Sequence, residues 1–264
     1  MNFIIPYFTF TQIHLGSVTI QVWGLMVSLG FLFALFLSLR KIEKQNVRNL
    51  SRENIWDIMI IALVGMVVGG RALYVISNFG EFKNLVEIFY LQNGGLSLIG
   101  GVVISAIAIC AYAKNKKIDI WKLADILIQG AVVALLFARI GCFLIYDHIG
   151  KITNLPWGRL YIDETVRHPV VLYHIISCII ILLIIHYFKS KRLKKGALFL
   201  TGVFCYIIFR FLLDFLRCSD LAICDSRYLS LTHTQWILMA VASFVIYLLL
   251  RRTELFSQKR KIKL

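Results

Sequence analysis

The chain has 264 residues, 59% of them hydrophobic and only 16% charged, with a mean hydropathy of +0.78, which places it in the membrane class and excludes an ordinary water-soluble globular domain. Its net charge of +15 suggests nucleic acid at first, but the basic residues gather in short segments between apolar runs, Arg40–Arg52, Lys114–Lys122, Lys189–Lys195 and Arg251–Lys263. That distribution is the footprint of membrane topology and anionic inner-leaflet lipid, and it argues against a nucleic-acid partner.

In chain order, Met1–Leu15 carries Phe3, Tyr7, Phe8 and Phe10 without a charge and is too short to cross a bilayer, so it reads as an interfacial segment on the outer surface. It lacks a basic n-region and a small-residue cleavage site, and no removable signal peptide is expected. A helix needs ~20 apolar residues to cross ~30 Å of hydrocarbon. Seven runs approach or meet that length: 16–39, 55–77, 95–113, 123–146, 169–188, 196–217 and 229–250. The connections after the first, third and fifth runs, and the C-terminal tail, are rich in Lys and Arg. Those after the second, fourth and sixth are mixed or acidic, with Glu81 and Glu87, then Asp147, Asp163 and Glu164, then Asp220 and Asp225. The alternation predicts an all-α membrane protein of seven transmembrane helices in a single integral membrane domain over 1–264, with the N-terminus outside and the C-terminus cytoplasmic. Its longest outer loop, 147–168, contains the turn signal Pro156-Trp157-Gly158. The cysteines show no CxxC pair and no metal-ligand spacing. Cys110, Cys142, Cys178 and Cys205 read as buried small hydrophobes, while Cys218 and Cys224 share one outer loop and pair only if it faces an oxidising compartment.

With that topology, Arg71, Arg139, Arg210, Asp214 and Arg217 fall at about one depth, in the outer half. An ionised group at the centre of a spanning helix costs ~2.5–3.5 kcal/mol, falling toward the interface. Arg210, Asp214 and Arg217 are spaced i, i+4, i+7 on one predicted face, and Arg139, Cys142 and Tyr146 i, i+3, i+7 on another. Arg–Asp pairs that lock helices together are one reading. The arginines outnumber Asp214, however, and a surplus of guanidinium in a low-dielectric pocket seeks an anion, phosphate above all. The predicted ligand of such a cavity is an anionic phospholipid headgroup. The glycine pairs of Gly94-Gly95-Leu96-Ser97-Leu98-Ile99-Gly100-Gly101 allow close approach either to a ligand or to a helix. Arg167-His168-Pro169 opens the fifth helix beside free N–H groups. His174 reads as a packing residue, Trp23 as core, and Gly65, Gly69 and Gly70 as a packing face.

On these residues the chain resembles the bacterial prolipoprotein diacylglyceryl transferases: WGLM at 23–26, GGRALYV at 69–75, GGLSLIGG at 94–101, the run from Ala138 to Gly158, RHPVVLY at 167–173 and YIIFRFLLDFLR at 206–217. The resemblance implies seven spans in the bacterial cytoplasmic (inner) membrane and no cofactor or metal. It implies transfer of the diacylglyceryl group of phosphatidylglycerol to the lipobox cysteine of exported preprolipoproteins, with thioether formation and release of glycerol phosphate. By position it casts Arg139 and Arg210 as the arginines that hold the phosphate, and Asp147 and Asp214 as the carboxylates where the family has glutamate. Gly150, Tyr206 and Arg217 match the family directly, and Trp23 replaces a tyrosine. Arg71, Ser97, Arg167 and His168 complete the expected substrate-binding set.

Three motifs depart from the family pattern. Cys142 and Ile145 stand where it has asparagines, Ile99 where it has a histidine, and Val171 and His174 where it has Gln and Glu. The first reading is a transferase whose thiol proton passes to His148, His168, His174 or Asp147. The second is a relative that binds anionic phospholipid in the same cavity without this transfer, or acts on another acceptor. A transporter or channel fits less well, because no polar residues line a path across the inner half.

Overall fold

The structure, a computed structural model, describes residues 4–16, 18–44, 49–82, 84–90, 94–190, 193–221 and 224–261. Phe3 of the N-terminal segment, the basic residues within 45–48 and 191–192, and the side chains beyond Arg251 lie outside what it describes.

The chain opens with strands β1 (Gln12–Leu15) and β2 (Val18–Gln21), antiparallel with Ile13 opposite Ile20. The helices are α1 (Val22–Lys44), α2 (Arg52–Ser77), α3 (Leu98–Asn115), α4 (Ile120–Leu144), α5 (Val170–Lys189), α6 (Ala197–Asp214) and α7 (His233–Lys261). Short antiparallel pairs β3 (Arg159–Leu160) with β4 (Val166–Arg167) and β5 (Arg227–Tyr228) with β6 (Leu231–Thr232) lie in the connections. Among the described residues, seven helices are long and apolar enough to cross a membrane, one for each predicted run. Several predicted ends move, two of them for a visible reason. The first run was expected to start at 16, but the β-branched series Val18-Thr19-Ile20 pairs as a strand and the helix begins at Val22. The sixth was expected to reach Arg217, but α6 ends at Asp214 because the next residues turn to bond the 149–151 segment.

The chain forms two compact units, one of Met1–Ala34 with Leu127–Leu264 and one of Leu35–Ile126. In the second, α2 begins at a capping box in which Ser51 and Asn54 satisfy each other's backbone N–H. Its C-terminal half packs on α3 along a glycine seam. A Cβ on Gly69 would run into the Gly100 carbonyl and Ile104, and one on Gly100 into the Gly69 carbonyl, while Gly65 sits on Ser105. Small residues that let two backbones touch supply helix association where lipid removes the hydrophobic drive. Gly69 and the Gly100-Gly101 pair are therefore helix-packing glycines, whereas Gly94 and Gly95 take left-handed backbone in the connection before α3. In the first unit, Ile128, Val132, Cys178, Ile181, Ile185 and Leu198 form the core between α4, α5 and α6. Gly30 of α1 lies against Ala134 and Phe137 of α4.

Candidate active site

Arg139 and Cys142 lie in the last turns of α4. The helix closes in a Schellman arrangement: the Tyr146 N–H reaches the Phe143 carbonyl at 3.4 Å and the Asp147 N–H the Cys142 carbonyl at 2.9 Å, with Tyr146 left-handed at φ 59°. Glycine is the usual residue there, so a tyrosine is strained, and His148 is left-handed too, at φ 59°. The reversals bring a Cys142 sulfur, an Asp147 carboxylate oxygen and a His148 ring nitrogen within 4.8 Å of one another. The predicted face of Arg139, Cys142 and Tyr146 thus ends at Cys142, because the helix stops before Tyr146.

Tyr146 is held from outside. Its hydroxyl donates to the Leu160 carbonyl at 2.8 Å, and its ring lies 3.9 Å from the Arg159 guanidinium, which also faces Phe143 at 4.4 Å and Phe8 at 4.5 Å. Burial pushes the Tyr146 phenol up to about 12 against the pull of Arg159. Arg159 was not among the predicted site residues. Its aromatic cage comes from two segments distant in sequence, Phe8 near the N-terminus and Phe143 and Tyr146 at the end of α4, so no local pattern announces it.

α6 presents Arg210 and Asp214 to the same unit. Asp214 is fully buried. Arg210 and Arg217 approach its Oδ1 at 3.3 and 3.6 Å, ion-pair distances that leave this oxygen without a hydrogen bond. The Thr232 hydroxyl donates to Oδ2. Thr232 is also the N-cap of α7: its N–H donates to Gln235 Oε1 at 2.9 Å, and its own oxygen accepts the Gln235 N–H at 3.2 Å. The sequence Thr-His-Thr-Gln is the capping-box signature that would have found Thr232. Arg210 Nη1 donates to His174 Nε2 at 2.8 Å. Arg217, beyond the helix, pairs with Asp225 at 2.6 Å and lies 3.4 Å from His148 Nδ1. Arg139 is 8% exposed, and among the described residues no carboxylate or carbonyl takes its guanidinium, although its charge reaches His148, His174 and Arg210.

The 147–168 loop is stitched to the end of α6. Lys151 N–H donates to the Leu216 carbonyl at 2.8 Å and Cys218 N–H to the Ile149 carbonyl at 3.0 Å, with Gly150 bridged to Arg217. A side chain on Gly150 would collide with the His168 carbonyl. Arg167 spends all five donors, on Thr165, Asp163, the Gly150 carbonyl and twice on Asp220. That hydrogen bonding holds the Asp220 carboxyl below the usual range. Arg167 is thus a clamp within the loop, with no donor left for a substrate. Cys218 and Cys224 form a disulfide, which settles the pairing left open by the sequence. His168 Nδ1 lies 3.4 Å from the Tyr173 hydroxyl, which accepts from Trp157 at 3.0 Å; burial, then Lys151, lower its pKa. Trp23 of α1, read from sequence as core, is instead exposed, with one edge against Gly141, one residue before Cys142. Tyr206 is half-buried one turn before Arg210 on α6.

In the other unit, Arg71 likewise spends five donors, on the carbonyls of Glu87, Ile88, Tyr90, Gly94 and Gly95. It holds the α2–α3 connection in place. Ser97 is the N-cap of α3 and its N–H donates to the Gly70 carbonyl at 2.9 Å. Ile99 is 48% exposed and apolar, with no proton acceptor to offer.

A surplus of guanidinium beside two ordered carboxylates invites comparison with known proteins. The sequence pattern described as prolipoprotein diacylglyceryl transferase matches residues 11–251. The chain belongs to that family. A family protein of Aeromonas salmonicida, a phosphatidylglycerol–prolipoprotein diacylglyceryl transferase, is 30% identical over 224 residues, covering 81% of each chain. Proteins of the same name from Finegoldia magna and Clostridium botulinum (strain Langeland) are 30% and 25% identical, over 78% and 91% of this chain and 83% and 97% of theirs. As a prolipoprotein diacylglyceryl transferase family member the chain is a multi-pass membrane transferase. The binding-only alternative is not favoured.

Proposed function

We propose that the chain transfers the diacylglyceryl group of phosphatidylglycerol to the lipobox cysteine thiol of exported preprolipoproteins, in the bacterial cytoplasmic membrane with its N-terminus and the 147–168 loop outside. The observation that carries the site assignment is Arg139, a buried guanidinium left open beside Arg210 and Arg217, whose other neighbours are already paired. The phosphate of the lipid is its complement. Arg139 and Arg210 bind the phosphate and stabilise the charge that grows on the departing glycerol phosphate, an electrostatic role that a preorganised low-dielectric site strengthens. Asp214, His174 and Thr232 orient Arg210. Asp147 and Gly150 shape the mouth, and Tyr206, Arg217, His168 and Trp23 surround it. A disulfide at Cys218–Cys224 supports an outward, oxidising location for this end.

The test is to incubate purified protein with phosphatidylglycerol and a lipobox peptide and follow the peptide's mass. The expected result is a diacylglyceryl adduct that Arg139→Ala and Arg210→Ala each reduce by ~10²-fold or more. Retained lipid binding with no adduct from the unmodified protein would refute the transfer.

A further inference from the structure

Attack by a thiol on the sp³ carbon of a glyceryl phosphate needs the thiol proton removed. The site offers four candidates, and their hydrogen bonds separate them. His174 is 2% exposed and its Nε2 lone pair is occupied by Arg210, so its other nitrogen carries the hydrogen and no lone pair is left. The Tyr173 hydroxyl, which accepts from Trp157, faces His168 Nδ1 at 3.4 Å; when that hydroxyl donates, the ring hydrogen sits on Nε2 and no lone pair is open. Asp147 Oδ1 accepts the His148 N–H at 2.8 Å and faces the ring Nδ1 at 3.3 Å. His148 remains, its side chain 23% exposed. Its Nδ1 lies 3.4 Å from Arg217 Nη2, from which it can accept, and 3.3 Å from Asp147 Oδ1, to which it can donate; the ion pairs of Arg217 with Asp225 and Asp214 run through Nη1 and leave that choice to the ring. In the Asp147-bound tautomer the Nε2 lone pair is open.

Resting on the transfer reading above, we infer that His148 is the general base that takes the proton of the acceptor thiol, with Asp147 orienting its ring. The S–H proton moves to Nε2. The sulfur lone pair forms the new C–S bond as the C–O bond to phosphate breaks, and the C–O electron pair leaves on the glycerol phosphate oxygen. The imidazolium then returns its proton to solvent or to the departing phosphate. The groups facing the ring are Asp147, Cys142 and Arg139 from the α4 end, His174 from α5, and Arg210 and Arg217 from the α6 end. Burial, then the arginines against the pull of Asp147, hold the ring neutral, its pKa lowered to about 4. A bound phosphate neutralises those guanidiniums and leaves Asp147 unopposed, so the lipid makes His148 a stronger base before the peptide thiol arrives. The strained backbone at Tyr146 and His148 is the independent geometric sign of a placed group.

The experiment uses the full chain in detergent with phosphatidylglycerol and two lipobox peptides, one with cysteine and one with selenocysteine, whose selenol is already ionised at neutral pH. Expected are a wild-type single-turnover rate nearly flat from about pH 6 to 8, and a loss of ~10²-fold or more in H148Q, whose residual rate rises about tenfold per pH unit toward the thiol pKa of ~8.5. The H148Q deficit shrinks with selenocysteine, and imidazole partly restores H148A. A wild-type rate that itself climbs tenfold per pH unit overturns the assignment even if the variants do not fold. So does an H148Q deficit equal for both peptides, or a variant as fast as wild type. Absence of any adduct from wild type refutes the transfer reading itself, a result distinct from these.

Discussion

Arginine decides the site one residue at a time. Arg71 and Arg167 each match five donors with five acceptors, whereas Arg139 finds no acceptor among the described residues. From sequence all three are charges in or beside apolar runs, and only the carbonyls of the 87–95 segment and the carboxylate of Asp220 tell them apart. Arg139, Arg210 and Asp214 were legible because a charge inside an apolar run is costly and their spacing is local. His148 was named only as one of several histidines, since its position depends on a left-handed tyrosine that no sequence rule anticipates. Its titration gives a check on stability. The folded pKa lies below the ordinary 6.5, at about 4, so the unfolded chain binds more protons between these values, and the contribution is full above pH ~6.5 and lost as pH falls toward 4. Replacing His148 by Gln removes that dependence. The thermal midpoint of H148Q should therefore fall less than that of wild type between pH 6.5 and 4.5, by scanning calorimetry in the same detergent; parallel curves would contradict it.

At the scale of elements, the start of α7 and the end of α6 are one construction. The Thr232 hydroxyl donates to Asp214 while its oxygen caps Gln235. Thr232→Val keeps the shape but leaves a buried carboxylate oxygen without its donor and α7 without its cap, at a cost of about 2–3 kcal/mol. It should lower the thermal midpoint and reduce turnover through a misdirected Arg210, and Thr232→Ser should recover most of both. Equal loss in Val and Ser variants would point away from the hydroxyl. Hydropathy located all seven helices because a span of uniform apolar character needs no tertiary information. It misplaced the first and sixth ends, where strand pairing and a turn decide the boundary, and it could not choose between a ligand and a helix as the neighbour of the glycine pairs.

Across the first unit, the 147–168 loop, the α6 end and the 218–224 loop are fastened by backbone bonds, by Arg167–Asp220 and by the disulfide. That bridge closes a sequence separation of 6, for which loop closure contributes about 2 kcal/mol. Replacing both Cys218 and Cys224 by Ser should lower the thermal midpoint and slow turnover, because the bridged loop flanks Asp225 and carries Asp220, the partners of Arg217 and Arg167. Unchanged rates in the double variant would show that the bridge is remote from the chemistry. No hydropathy profile contains this fastening, since it joins segments that are each too short and polar to register as elements.

The solitary guanidinium of Arg139 has one more consequence. A protein that buries a cation without a counter-ion is incomplete as a folded object, and the molecule that completes it is its own reactant. Each turnover removes part of that completion and each fresh lipid restores it. The protein's resistance to unfolding should thus follow the supply of anionic lipid around it, so that the membrane which feeds the reaction also keeps the catalyst in shape.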